Sequence, residues 1–208
     1  MISILLILLF ILVTNLLPIS INITLLSFFL VISIYKFPKI FSKDVFFYFL
    51  ATGVAIFSTI FNDLYIFDYV LKGYMSIAIF IVIMFTGVIP IKWKLTQILV
   101  KTRGLLSIIG FILISPHASL HLLGLFSGIN LFGIAAYALM IPLTIISFKT
   151  IRREINPRDW KNIQKASYII YGLLYLHILW VGSWTDKLVY IVLFVLYINN
   201  KLFKEFKK

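Results

Sequence analysis

Cysteine is absent from the 208 residues. Its absence excludes disulfides, thiolate metal sites, iron–sulfur clusters and covalent haem attachment through C-x-x-C-H. Any redox group must then be held by other side chains. Histidine is the obvious alternative, and there are only three: His117, His121 and His177. Acidic residues are also scarce, 7 against 19 Lys and Arg. Charged residues together make up 12% of the chain, about half the share of a soluble globular protein. No long polar loop occurs; the largest polar segment is the basic stretch 149–165. A soluble nucleotide-binding domain has no place in such a chain, and neither G-x-G-x-x-G nor a P-loop is present. No repeat or low-complexity segment stands out beyond the apolar runs.

Apolar sequence fills the space these absences leave. Hydrophobic residues are 62% of the chain and the mean hydropathy is +1.08, more than a core of this size can hide, so lipid is the natural solvent. A spanning helix needs about 20 mostly apolar residues. Candidate spans are 2–17, 19–35, 45–62, 70–90, 97–117, 128–148, 163–183 and 186–202. The expected fold is therefore all-α, a polytopic membrane helix bundle of about eight transmembrane helices. The first two candidates are short and meet at Pro18, flanked by Asn15, Ser20 and Asn22. A tight hairpin gives eight spans; a single kinked helix over 2–35 gives seven. Met1 to Leu17 lacks a basic n-region and a small-residue cleavage site, and so reads as a retained segment.

The net charge of +12 arises from short basic clusters between apolar runs, which is the pattern of cytoplasmic loops rather than of a nucleic-acid interface. Lys36, Lys39 and Lys43 fill one loop, and Lys92, Lys94, Lys101 and Arg103 a second. A third holds Lys149, Arg152, Arg153, Arg158, Lys161 and Lys165. Lys201, Lys204, Lys207 and Lys208 form the tail. Of the 19 basic residues, only Lys72 and Lys187 fall on the other side. The expected location is the plasma membrane, multi-pass, with the basic face and the C-terminus cytoplasmic. The partner this implies is the lipid bilayer, and no nucleic acid is expected.

An ionisable side chain within a membrane helix is costly and is by default a functional-site hypothesis. His177 lies twelve residues past Lys165, about 18 Å along a helix, and His117 fourteen past Arg103, about 21 Å. Both helices run outward from the basic face, so the two imidazoles reach similar depth in the outer half of a core about 30 Å thick. Two such groups on two helices can ligate one haem iron from opposite faces, or can simply hydrogen-bond between helices. His121 lies one turn beyond His117 if the helix continues past Pro116, as an alternative ligand or an outer-surface group. Asn130, Ser127 and His121 gather near the outer face without forming an obvious pore. Trp180 and Trp184 fall near the outer interface, where tryptophan usually anchors a helix.

The stretch 142–177, PLTIISFKTIRREINPRDWKNIQKASYIIYGLLYLH, resembles the ferric reductase-like transmembrane domain. That superfamily includes the haem subunit of the bacterial methionine sulfoxide reductase system, the NADPH oxidases and the metalloreductases. Its pattern is an apolar helix ending in Thr or Ser, a basic turn, a tryptophan, then a helix with two histidines thirteen residues apart. Trp160, Tyr168 and His177 fit it. The family also tends to show Arg-Arg-x-Leu-Gly with a histidine ten residues after the glycine. Aligning Arg103 with the first arginine puts Ser107 at the glycine and His117 at the histidine, which favours His117 over His121. The resemblance covers roughly residues 70–200.

The resemblance implies two units, an N-terminal helical hairpin with its basic loop at 1–44 and a six-helix haem-binding core at 45–208. It implies one non-covalent haem b rather than two, because the family's other ligand position falls on Gln164, and Leu131 and Gly104 offer no ligand either. His117 and His177 would be the axial ligands to the haem iron. The implied function is transmembrane electron transfer, an oxidoreductase membrane subunit passing electrons to an extracytoplasmic acceptor. The donor would be a membrane quinol, FMN held near Arg152, Arg153 and Lys161, or a reductase partner protein. The competing expectation is a non-redox membrane protein, a small permease or an assembly subunit, although the spans carry few buried polar groups for a substrate path.

Overall fold

The computed structural model describes residues 17–123 and 130–206. Among the described residues there is no strand. Seven long helices carry the fold: α1 (Ile19–Lys36), α2 (Asp44–Ile60), α3 (Tyr74–Thr86), α4 (Lys94–Leu122), α5 (Leu131–Ile145), α6 (Ser167–Val181) and α7 (Trp184–Phe206). Each coincides with one apolar run of the sequence. Two of them, α1 and α4, are both long enough and apolar enough to cross a membrane, and α2, α3 and α5 are shorter apolar helices. The first apolar run, 2–17, lies almost wholly outside the described residues, as does Ser127.

Helix ends follow local chemistry. Pro18 stands at the N-cap of α1 with extended backbone, ψ 142°, so α1 does not continue smoothly through the proline. Pro18 has no side chain to cap the helix. Instead the Ser20 N–H donates to a carboxylate oxygen of Asp186 at 2.8 Å, from the first turn of α7. Asp186 is buried, and a carboxylate on an orphan helix N–H is a charge-assisted bond at the positive end of the helix dipole. The same carboxylate accepts from the Ser183 hydroxyl, while Ser183 Oγ accepts from the Asp186 N–H at 3.3 Å. Ser183 thus caps α7, its hydroxyl oxygen accepting from the third-residue N–H while its proton goes to that residue's carboxylate.

The expected span 70–90 is not one helix. A single turn, Asp68–Leu71, ends at Lys72, and Gly73 at φ 77° reverses the chain before α3 begins. Only glycine takes that left-handed conformation without strain. The run 163–183 is likewise divided: a short helix Pro157–Ile163 and a turn Gln164–Ala166 precede α6. Asn156 caps the short helix and Pro157 opens it, the usual use of both residue types. In contrast α4 continues past Pro116 to Leu122.

Contacts between elements sort the bundle into two ends. At one end Lys149 pairs with Asp44 at 2.6 Å, Lys204 donates to the Gly87 carbonyl at 2.8 Å, and Arg152 stacks on Trp160. At the other end lie Leu71, His117, Ser20 and Asp186. The basic clusters therefore share one end, as the sequence pattern requires. Between the ends, Ile79, Val82, Leu99, Leu106, Ile109 and Leu113 form the main apolar core of α3 and α4. Ile23, Ala78 and Tyr190 tie α1 and α7 to α3, so α1 is a wall of the same bundle. Some buried hydroxyls return to backbone carbonyls of the preceding turn, as Thr86 does to Val82 and Ser147 to Leu143. Ser27 also reaches across from α1 to the Ala78 carbonyl of α3 at 3.0 Å. The outer surface is strongly apolar: Phe28, Phe29, Phe49, Phe57, Val192 and Val195 are all exposed. Water is a poor solvent for such a surface, which marks a contact with lipid or another apolar body.

Candidate functional site: an imidazole pair facing one cavity

At the end of the bundle opposite the basic clusters, α4 and α6 bring His117 and His177 together, with ring centroids 6.2 Å apart and planes at 73°. Helix α4 reaches this depth because it continues through Pro116. Its next turn places the His121 ring 4.7 Å from that of His117. The three histidines of the chain thus share one neighbourhood, and all line a cavity of about 350 Å³. This volume falls at the low end of the range for small-molecule and cofactor sites, roughly 300–1,000 Å³. Its walls are mainly apolar, with Ile77, Ile114, Ile134, Leu174 and Ile178 among them.

The two partners of the pair are held differently. His117 Nδ1 is 2.9 Å from the Leu71 carbonyl oxygen. A carbonyl only accepts, so Nδ1 carries the proton and donates, which leaves the Nε2 lone pair as the ring's acceptor or metal-binding atom. Gly73 supports this arrangement by turning the chain directly after Lys72; a Cβ there would sit 3.5 Å from the His117 ring and 2.8 Å from Ile114. His177 Nδ1 is buried with no hydrogen-bond partner. It lies against Gly133 of α5, where a Cβ would come within 2.9 Å of that nitrogen. An unsatisfied buried ring nitrogen is costly, and such a group in a native site calls for an explanation.

Helix α5 is fixed beside the pair by Asn130, whose side-chain oxygen accepts from the Phe132 and Gly133 N–H groups at 3.0 and 3.1 Å. Asn130 is therefore a helix cap, and its oxygen is used there. Tyr137 of α5 donates to Ser115 of α4 at 3.1 Å and stacks on Phe111. Trp180 lines the cavity but is largely exposed, and Trp184 is fully outside it, with the Lys187 ammonium over its ring. Among the described residues, no three His, Cys, Asp or Glu side chains form a group able to hold a metal ion. Protein ligands alone thus give a two-imidazole set, able to clasp one group from two sides or to exchange a proton.

No family model and no solved structure matches the chain. An uncharacterized protein of Treponema pallidum (strain Nichols) is 42% identical over 40 residues. That match takes in 19% of this chain, and the chain spans 11% of that protein's length.

Proposed function

We propose that the protein is a multi-pass plasma-membrane haem b subunit of ferric reductase-like type, working in electron transfer toward an extracytoplasmic acceptor. The observation that carries this reading is the His117–His177 pair across one apolar-walled cavity. His117 and His177, with ring centres 6.2 Å apart on two helices, would hold the haem iron between them. The donor set also suits haem better than a bare ion. Haem iron needs only one or two ligands from the protein, whereas structural or catalytic zinc takes three or four.

The chain's own residues supply position and dielectric. Leu71 fixes the His117 tautomer, the outer-shell arrangement that commonly orients ligating histidines. Gly133 leaves room for the His177 ring, and the aliphatic side chains make the surroundings of the imidazoles mainly apolar. Haem, when bound, supplies one-electron chemistry, and the protein tunes its environment. His121 remains the alternative ligand; its ring neighbours His117, and the Leu71 bond favours His117 as the prepared one.

Eight spans with a cytoplasmic C-terminus accompany this reading. Its supports are the seven helices on seven apolar runs, the break at Leu17–Pro18, the exposed apolar surface and the gathering of basic groups at one end. Electrons would come from a quinol, FMN or a reductase partner. The test is absorption: protein purified from haem-replete cells shows a Soret band that shifts on dithionite reduction, and a colourless preparation refutes the reading.

A further inference from the structure

A second cavity, of about 250 Å³, lies toward the basic end of the bundle. It is well above the roughly 30 Å³ that one water occupies in the liquid. Its floor is apolar, with Phe80, Leu143 and Ile170. Two guanidinium groups line it, Arg103 from α4 and Arg152 from the short helix Lys149–Glu154. Neither has a carboxylate partner: the ion pairs among the described residues are Lys72–Asp68 and Lys149–Asp44. Trp160 also lines the cavity, with Arg152 stacked 4.1 Å above its ring. Its indole Nε1–H is buried and has no acceptor.

Two guanidinium groups without a carboxylate partner, one of them beside the Tyr171 hydroxyl, and an orphan indole N–H suit an oxyanion, and guanidinium matches phosphate geometry in particular. The apolar floor calls for an apolar body attached to it. We propose that this cavity binds the phosphate group of an anionic phospholipid, held by Arg103, Arg152 and the Trp160 N–H, with its acyl chains leaving along the exposed apolar helix faces. The cavity holds a headgroup and not a whole lipid. The basic end that this site faces is the end where cytoplasmic-leaflet anionic lipid is concentrated. This inference rests on the chain being a bilayer protein but not on the imidazole pair, whose absorption band is measured separately.

The full chain in neutral detergent micelles is titrated with dioleoyl phosphatidylglycerol or dioleoyl phosphatidylcholine and read by native mass spectrometry. Parallel arms contain FMN or inorganic phosphate. The expected result is retention of one phosphatidylglycerol in preference to phosphatidylcholine. Affinity falls about tenfold or more in R103Q/R152Q, as expected for lost charge-assisted bonds. It is unchanged in R153Q/K161Q, whose side chains lie outside the cavity. R152Q alone, on an exposed helix, removes one donor without touching the core and must weaken binding by itself. Equal retention of both lipids, equal losses in R152Q and R153Q/K161Q, or saturation by FMN or inorganic phosphate without phosphatidylglycerol overturns the proposal.

Discussion

Gly133→Ala separates a packing role for this glycine from an accidental one. The added methyl would stand 2.9 Å from His177 Nδ1 and 3.0 Å from its Cε1. Ordinary carbon contacts are about 3.5–4.0 Å, so the imidazole must retreat by roughly 0.5–1 Å. Overpacking of this kind typically costs about 1–3 kcal/mol. Against it, alanine in place of glycine gains up to about 1 kcal/mol of helix propensity, less here because Gly133 is in the first turn of α5. The net effect on unfolding is a loss of about 0–3 kcal/mol from these two terms. The ring position is affected far more than the fold. The Soret band should weaken or shift and haem should wash out more readily, by about tenfold for each 1.4 kcal/mol of lost affinity. Gly172→Ala is the matched control, because a Cβ at Gly172 meets nothing within 4 Å; it should keep the spectrum and raise the melting temperature slightly. The assay is absorption with a thermal melt in detergent. A Gly133→Ala protein with wild-type spectrum and melt would refute the close packing of His177 against α5.

Three further outcomes follow from the contacts. Asp186→Ala leaves the Ser20 N–H without its acceptor and removes the carboxylate from the Ser183 hydroxyl, and should lower unfolding stability by about 1–3 kcal/mol, with Asp186→Asn recovering part of it in a melt. Lys149→Ala, by contrast, removes a pair whose lysine is 64% exposed; such pairs contribute about 0–1 kcal/mol, and a melt should barely move. The absence of cysteine allows single-cysteine labelling: Ser42→Cys should react with an impermeant maleimide only from the cytoplasmic side, and Thr185→Cys only from the opposite side. Labelling of both from one side contradicts the proposed orientation.

Much of the architecture was legible because apolar runs of helical length leave few alternatives, and seven of the eight coincide with helices. The exceptions have local causes. Lys72-Gly73 is a turn signal inside the run 70–90, outweighed in a hydropathy reading by Val70, Leu71 and the apolar residues from Tyr74 onward. Pro116 left open in the sequence whether α4 runs on to His121; it does, because a proline removes one N–H donor and packing on both sides can sustain the helix. Asn130 read as part of a polar cluster, although its place just before an apolar run is a capping signal. For the site, residue depth from the basic loops brought His117 and His177 to a common level. The Leu71 carbonyl that orients His117 has no signature, since any residue type presents one. The Asp186–Ser20 bond joins positions 166 residues apart, and the Arg152–Trp160 stack depends on a turn between two short helices. Neither can be read from local pattern.

The central claim is that His117 and His177 hold one haem between them. Its most direct measurement is the absorption spectrum of the purified protein beside its His117→Ala, His177→Ala and His121→Ala variants, each checked for folding by circular dichroism. The expected result is a dithionite-sensitive Soret band in the wild type and in His121→Ala, lost in both of the others. A colourless wild type, or a band that survives in folded His177→Ala, contradicts it.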